Sequence, residues 1–202
     1  MIRKFFEFYF KCYYRLFLNL EQVNIGLYKE KFFKPLGDKF VFKMLSKEDM
    51  KYFEKMKIKE SYRYILKDRF DNGDYHQCFG IIDIEKDQLA YYCWTNSLKK
   101  YYHNEFESYF RHNGDTILFE NDLALPEYRK MGFHSYCMLQ RILYAKQAGF
   151  KKAIINIYFR NKPALKTAMN FGFSKMFRFP VSFRKGAVKY TIDKLTNRSI
   201  AL

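Results

Sequence analysis

A basic segment in the second half of the chain has the residue types of an anion-binding loop. It follows a strand-like apolar alternation that stops at Pro126, and it precedes residues 136–144, whose apolar side chains recur at helical spacing. This order predicts a strand, a turn and a helix. The first turn of a helix has unpaired backbone N–H groups at the positive end of its dipole, so such a turn can bind a phosphate. The residues of the predicted loop are Arg129, Lys130, Met131, Gly132, Phe133, His134 and Ser135.

The same segment resembles the acyl-CoA binding motif of the GCN5-related N-acetyltransferase (GNAT) superfamily, Arg/Gln-x-x-Gly-x-Gly/Ala after a strand that ends in a proline. Arg129 and Gly132 match this motif, and His134 stands where the family has a very small residue. Downstream, Asn161 and Ala164 resemble the family's Asn-x-x-Ala helix start, and residues 171–173 resemble its closing Gly-Phe. The two signatures occur in the family's order, with one predicted helix and one predicted strand between them.

The resemblance implies a mixed α/β fold, with a mostly antiparallel central sheet flanked by helices, and acetyl-CoA or another acyl-CoA as co-substrate. The predicted loop would hold the diphosphate of CoA through its backbone N–H groups. The backbone of Leu123, Ala124 and Leu125 would pair with the pantetheine arm. Asn161, with Ala164, would contact the same arm, although Asn161 is equally suited to capping its helix.

The reaction that the resemblance implies is attack by a primary amine on the thioester carbonyl. An alkyl amine with a pKa near 10.4 costs about 4.6 kcal/mol to deprotonate at pH 7, so a base is needed. Family members take it from a carboxylate on the central strand, where this chain has Glu120 and Asp122. Being two residues apart, they are predicted to share a face. The alternative for either carboxylate is a salt bridge or a turn contact.

The acid that protonates the leaving thiolate is less clearly marked. Many GNAT enzymes have a tyrosine four residues after the motif alanine, and this chain has Ala168 there. Protonating a thiolate at pH 7 is worth only about 2 kcal/mol. Tyr158, near the end of the preceding strand, is therefore the predicted substitute, with water as the alternative.

The acceptor side of the site is predicted around a hairpin. Residues 78–84 and 89–94 read as paired strands around a turn at 85–88. In GNAT relatives this hairpin forms part of the acceptor wall, so Tyr92 and Trp94 are predicted to face substrate, with core packing as the alternative. Residues 98–114 have no clear pattern, and we expect acceptor specificity to lie there.

The N-terminal residues 1–20 are rich in aromatic side chains. Their charges, at positions 3, 4, 7, 11 and 15, fall at steps that favour an amphipathic helix. That helix would pack on the domain or on a second copy of the chain, or it would lie on a membrane surface. No uncharged run is long enough for a membrane span or a signal peptide. The predicted organisation is an N-terminal helix and connector at 1–38, an acyltransferase domain at 39–195 and a tail at 196–202.

The remaining elements follow from local patterns. Ser46, with acidic residues after it, is a good helix start, and residues 184–186 read as the turn of a last hairpin. The segments involved are a strand at 40–44, a helix after Ser46, a second helix at 61–70, a strand at 153–159, a helix opened by Asn161 and a hairpin over 177–192.

Composition limits the classes of partner and compartment. The chain has 202 residues, 49% of them hydrophobic, with 37 Lys and Arg against 21 Asp and Glu and a net charge of +16. This excess favours a polyanion without identifying it, and coding bias is an alternative cause. The four cysteines form no C-x-x-C pair, so we expect buried free thiols in a reducing, cytoplasmic setting, with membrane association left open. No ligand spacing predicts a metal site.

Two functions from different classes are compatible with these residues. The first is an acyl-CoA-dependent N-acetyltransferase that modifies a primary amine of a small molecule, a sugar or a peptide. The second is a catalytically weak GNAT-like module that binds a polyanion or a membrane surface. A nucleic-acid partner is not expected, since the sequence has no helix-turn-helix, zinc or RNP signature.

Overall fold

The computed structural model describes residues 9–56, 60–71, 75–97, 100–103, 108–111, 114–184 and 187–190. These residues form two compact units that are interleaved along the chain. The larger unit takes its residues from 19–98 and 113–154, and the smaller unit takes its residues from 1–18, 99–112 and 155–202.

A four-stranded antiparallel sheet, in the order β7-β4-β3-β2, is the framework of the larger unit. Its strands are β2 (Phe40–Leu45), β3 (His76–Asp83), β4 (Gln88–Asn96) and β7 (Thr116–Ala124). The helices of this unit are α1 (Ile25–Phe32), α2 (Met50–Glu54), α3 (Glu60–Asp71) and α4 (Phe133–Gln147).

Both faces of this sheet are covered, because side chains alternate between two apolar clusters along each strand. On one face, Tyr92 and Trp94 of β4 pack with Phe53 of α2 and Leu66 of α3. On the other face, residues of β3 and β4 pack with the start of α4; this cluster includes Phe79, Ile81, Tyr91, Cys93, Phe133 and Cys137. We call these the α3 face and the α4 face.

The smaller unit contains strands from distant parts of the chain. Its strand order is β10-β9-β1-β8, with a separate pair of β5 and β6. The elements are β1 (Tyr9–Asn19), β5 (Lys100–His103), β6 (Ser108–Arg111), β8 (Lys152–Tyr158), α5 (Lys162–Asn170), β9 (Ser174–Arg184) and β10 (Ala187–Tyr190). The first residues of β8 belong to the larger unit.

The helix predicted for residues 1–20 is wrong over the described part of that segment. Residues Tyr9–Asn19 form a strand that pairs antiparallel with β9, more than 150 positions later in the chain. Leu16, Leu18 and Leu20 are buried while the residues between them are partly exposed. This period of two is the signature of a strand, and the charge spacing concealed it. Residues 1–8 lie outside the described part of the chain.

The predicted connector also contains an element. The helix α1 begins after Asn24, whose side chain accepts a hydrogen bond from the backbone N–H of Leu27 at 3.2 Å. None of the residues of α1 is buried. An exposed helix needs no apolar stripe, so its sequence carried no helical pattern.

The other predicted elements, and the fold class apart from the N-terminal helix, are confirmed. The start of the first helix has the predicted cap, since the backbone N–H of Ser46 donates to Asp49 at 2.9 Å. The hairpin of β9 and β10 pairs around residues 185–186. Within 98–114, β5 and β6 pair through their backbones, while the side chains there, like the tail at 196–202, lie outside the description. Among the described residues, no helix is long and apolar enough to cross a membrane.

Candidate active site

The predicted phosphate loop is open to solvent. Between the end of β7 and the start of α4, residues 129–132 are all exposed, with Met131 at 46%. Lys130 and Gly132 have positive φ angles, 66° and 84°. Gly132 is the N-cap of α4, and no side chain caps the helix there. A Cβ built on Gly132 would meet no atom within 4 Å. The first turn of α4 therefore has no side-chain cap, and the space beside Gly132 is open.

A buried hydrogen bond fixes the residue before the loop. The hydroxyl of Tyr128 donates to Asp83 Oδ2 at 2.9 Å, and both residues are buried. Asp83 also accepts from the backbone N–H groups of Glu85 and Lys86 in the β3–β4 turn. Burial, and then the bond to Asp83, raises the pKa of Tyr128 to about 12. The residue before the loop is therefore tied to Asp83, the last residue of β3.

A β-bulge in β7 separates the two candidate carboxylates. Tyr92 lies opposite Leu123 and Trp94 lies opposite Glu120, so β7 has one more residue than β4 between these pairs. Asn121 takes up the extra residue with a left-handed φ of 53°. The alternation of side chains shifts at this point. Glu120 and Asp122 therefore lie on opposite faces of the sheet, and the predicted shared face is wrong.

Asp122 lies on the α4 face in a three-residue cluster. Its Oδ1 and Oδ2 accept from the two terminal nitrogens of Arg141 at 2.7 and 2.8 Å, and His134 Nε2 lies 3.0 Å from Oδ2. The Arg141 side chain is fully buried, whereas those of Asp122 and His134 are 21% and 26% exposed. Burial alone would raise the pKa of Asp122, but the charge of Arg141 and the hydrogen bond from His134 outweigh it and lower that pKa to about 2. Such a carboxylate is a poor acceptor for an amine proton, which argues against the base role predicted for Asp122.

Glu120 lies on the α3 face beside a different arginine. Arg69 Nη2 of α3 is 3.0 Å from Glu120 Oε1, and the two side chains are only 11% and 5% exposed. The guanidinium of Arg69 also lies 5.3 Å from the centre of the Trp94 ring. When its amide oxygen is oriented towards Arg69, Asn121 accepts from Nη2 at 2.7 Å. Glu120 is thus held by α3 and by the bulge.

The two aromatic residues predicted to face substrate belong to the core. Tyr92 is 2% exposed and Trp94 is fully buried. The ring of Tyr92 packs edge-on against Phe53 at 5.1 Å, and that of Trp94 packs against Phe70 at 4.9 Å. Neither ring is accessible to an acceptor, so the alternative prediction, core packing, is the correct one for both residues.

The remaining predicted residues lie in the smaller unit. The side chain of Asn161 accepts from the backbone N–H of Ala164 at 3.3 Å, which confirms the helix cap. Tyr158 is partly buried, and its ring centre lies 5.6 Å from that of Tyr13. Ala168, at the family's tyrosine position, is fully buried. The roles of Asn161 and Ala164 at the pantetheine arm and of Tyr158 as acid stay predictions.

Two arginines were missed from the sequence. Arg141 left a signal that could have revealed it, because it occurs four residues after Cys137 and next to Ile142, on the apolar side of the predicted helix. A charge in an apolar stripe must find a buried partner. Arg69 left no comparable signal, since its ion-pair partner Glu120 lies 51 residues later in the chain.

Three of the four cysteines are buried free thiols, Cys78, Cys93 and Cys137, as predicted. Burial raises the pKa of Cys78 and of Cys137 well above the usual range of a thiol. The side chain of Cys12 lies outside the description. Among the residues that the structure covers, no three His, Cys, Asp or Glu side chains are grouped to hold a metal ion.

Several solved structures with a similar arrangement are described as GNAT proteins. A tandem GNAT protein from the clavulanic acid biosynthesis pathway is similar with a TM-score of 0.61 at 11% identity, over 88% of this chain and 54% of that chain. A GCN5-related N-acetyltransferase-like protein from Streptococcus suis gives 0.59 at 13% identity, over 91% and 63%. A GCN5-related glucosamine N-acetyltransferase region of a fungal multi-domain GH3 beta-N-acetylglucosaminidase gives 0.58 at 11% identity, over 87% and 21%.

These similarities establish the fold of the chain. It is the fold of the GNAT acetyltransferases, and the resemblance read from the two motifs is confirmed at that level. The chain spans between 21% and 63% of the length of the three chains. No protein-family model and no curated protein sequence matches it.

Proposed function

We propose that this chain is an acyl-CoA-dependent N-acyltransferase, with acetyl-CoA as the first donor to test. The observation that carries the proposal is the exposed loop at residues 129–132, which leads from the bulged strand into the uncapped first turn of α4. Open space at Gly132 gives a diphosphate room to approach the backbone. Arg129 and Lys130 supply positive charge on the same exposed turn. The residues present therefore fit the group.

The strand before the loop supports the rest of the donor site. Leu123 is 39% exposed, and Ala124 and Leu125 are partly exposed. Their backbone is proposed to bind the pantetheine arm and to polarise the thioester oxygen. Asn161 and Ala164 are proposed to meet the same arm.

Glu120 is the proposed base, because Arg141 binds both oxygens of Asp122 and the pKa of Asp122 is about 2, whereas the ion pair of Glu120 with Arg69 is made through Oε1. Arg69 would position the Glu120 carboxylate. Removing the amine proton is the more demanding step, about 4.6 kcal/mol against about 2 kcal/mol for protonating the thiolate. Tyr158, or water, is proposed to donate the proton that the leaving thiolate takes up. The acceptor is proposed to be a primary amine on a small molecule, a sugar or a peptide, in the cytoplasm.

A second candidate is a catalytically weak binding module with the same fold. Two observations favour it: Ala168 replaces the tyrosine acid and is buried, and Glu120 already pairs with Arg69. Its partner would be a polyanion or a membrane surface, drawn by the charge of +16. Under either function, residues 1–20 are proposed to contact a second copy of the chain or a membrane surface. A module would bind acetyl-CoA without releasing free CoA to any amine.

The loop assignment is tested with a pair of matched glycine variants. Gly132→Ala places a Cβ on a residue with φ 84°, and Gly149→Ala does the same at φ 82° at the other end of α4; neither Cβ meets an atom within 4 Å. We expect both to destabilise the fold by about 1–2 kcal/mol. Only Gly132→Ala should also weaken acetyl-CoA binding, by roughly tenfold or more, because the strain falls on the loop. Urea unfolding and isothermal titration calorimetry measure the two effects.

Equal loss of affinity in the two variants would contradict the loop assignment, since Gly149 has the same backbone strain away from the loop. Absence of acetyl-CoA binding by the unmodified protein would remove the proposed function altogether. Release of free CoA in a screen of amino sugars, amino acids, polyamines and peptide N-termini would distinguish the enzyme from the module.

A further inference from the structure

His134 gives the proposed donor site a feature that its motif does not require. It is the second residue of α4, two positions after the exposed Gly132, at the place where the motif has a very small residue. Its side chain is 26% exposed, so the imidazole reaches the surface beside the open loop. A ligand on the first turn of α4 would therefore meet this ring.

The ion pair between Asp122 and Arg141 orients the imidazole of His134. His134 Nε2 lies 3.0 Å from Asp122 Oδ2, and the two oxygens of Asp122 are fixed by the fully buried Arg141. The guanidinium is itself held by the carbonyl of Trp94 at 3.4 Å and lies 4.8 Å from the centre of the Phe119 ring. Asp122 remains ionised in this setting, so Nε2 must carry the hydrogen that faces it. The other ring nitrogen, Nδ1, points away from the carboxylate.

Charged and titratable groups lie near His134 on three elements, β7, α4 and β4. Asp122 comes from β7, Arg141 from the next turns of α4, and Tyr91 from β4, with its ring centre 6.5 Å from the imidazole. Burial, and then the charge of Asp122, raises the pKa of Tyr91 well above its usual value, so this phenol stays neutral. Its hydroxyl is buried without a hydrogen-bond partner among the described residues. The ion pair of Asp122 and Arg141 is neutral in sum, so it does not by itself repel an added positive charge on His134.

The protonation state of the imidazole determines whether it can hold a phosphate. A neutral ring that donates from Nε2 has a lone pair on Nδ1, which repels a phosphate oxygen. A proton on Nδ1 turns that lone pair into a charged donor, and a nearby negative charge favours the protonated form. An anion bound at this place and a proton on Nδ1 therefore stabilise each other.

We propose that Asp122 and Arg141 orient His134 so that it takes up one solvent proton on Nδ1 when the diphosphate of an acyl-CoA binds. The imidazolium then donates a hydrogen bond to a phosphate oxygen. Asp122 and Arg141 are positioning residues in this proposal, and His134 is the residue that touches the ligand. The proposal rests on the proposed function, because it needs the loop to be the acyl-CoA site.

The test is proton counting by calorimetry. Acetyl-CoA is titrated into the full chain at about pH 8, where an ordinary histidine is mostly neutral, in two buffers with different enthalpies of ionisation. The dependence of the observed heat on buffer gives the number of protons taken up. We expect a net uptake that approaches one proton per acetyl-CoA. The same uptake is expected with acetyl-dephospho-CoA, which keeps the diphosphate, and none with S-acetylpantetheine, which lacks it.

Two variants separate this role from a structural one. His134→Gln should abolish the proton uptake and weaken acetyl-CoA binding by about tenfold, which is about 1.4 kcal/mol. Asp122→Asn should reduce the uptake although His134 is still present, because the amide no longer favours the charged ring. The binding of S-acetylpantetheine should be unchanged in His134→Gln.

Each other outcome decides against the proposal. If the unmodified chain binds acetyl-CoA with no buffer-dependent heat, or if His134→Gln keeps the full uptake, the inference is wrong while the proposed function stands. Equal proton uptake with S-acetylpantetheine would place the titrating group away from the diphosphate and also overturn it. A chain that does not bind acetyl-CoA overturns both.

Discussion

Glu120→Gln is expected to lower the turnover number for amine acetylation by about 10² to 10⁴-fold, the usual contribution of a general base. The amide keeps the shape of the side chain but cannot accept the proton of the attacking amine. Since Glu120 lies on the α3 face and the loop leads into α4 on the other face, the dissociation constant of acetyl-CoA should change by less than about twofold. Steady-state release of free CoA, with an acceptor found in the amine screen, measures the loss.

A matched control comes from the β3–β4 turn. Glu85 is an exposed carboxylate, and Glu85→Gln should leave the turnover number unchanged. Arg69→Met should reduce turnover less than Glu120→Gln does, because it removes the residue that holds the base and not the base itself. If Glu120→Gln turns over as fast as the unmodified chain, Glu120 serves the fold alone and the base is supplied by another group.

Arg141→Met is expected to lower the free energy of unfolding by about 3–5 kcal/mol, the cost of leaving a partly buried carboxylate without its charge partner. The fully buried Arg141 occupies both oxygens of Asp122. The double variant Asp122→Leu/Arg141→Met removes both charges, and we expect it to recover most of that loss. Urea unfolding of the two single variants and the double variant gives the coupling energy.

The dependence of the free energy of unfolding on pH, below about pH 4, tests the Asp122–Arg141 pair independently. The pKa of Asp122 is lowered from 3.8 to about 2, so its contribution is complete above about pH 4 and is lost as the pH falls towards 2. This loss should be absent in the double variant. Arg129→Met, on the exposed loop, should change stability by no more than about 0.5 kcal/mol. A single Arg141→Met variant as stable as this control would show that Asp122 is hydrated without Arg141.

The parts of the site that depend on neighbouring residues could be predicted from the sequence. The strand before Pro126, the turn with Gly132 and the helix after it follow from local periodicity, and the structure confirms each. The same holds for the β3–β4 hairpin and for the cap of α5 by Asn161. In each case the information lies within a few consecutive residues.

The parts that depend on pairing between distant residues could not. Whether Glu120 and Asp122 share a face depends on the backbone conformation of Asn121, which has a φ of 53°. The residues next to Asn121 in the sequence do not predict that conformation. The N-terminal strand is set by β9, which the helical charge spacing of residues 1–20 could not reveal. Local propensity is a weak guide where tertiary pairing competes with it.

The buried thiols of Cys78, Cys93 and Cys137 give an aromatic disulfide dye two uses with this protein. Such a dye reacts with thiolates, so it detects the CoA liberated by turnover at once, whereas these side chains must first become exposed. Cys12→Ser would leave the three as the remaining thiols of the chain. The rapid reaction with CoA would then measure catalysis, and the slow reaction with the three cysteines would measure the rate at which the core opens, both in the same sample.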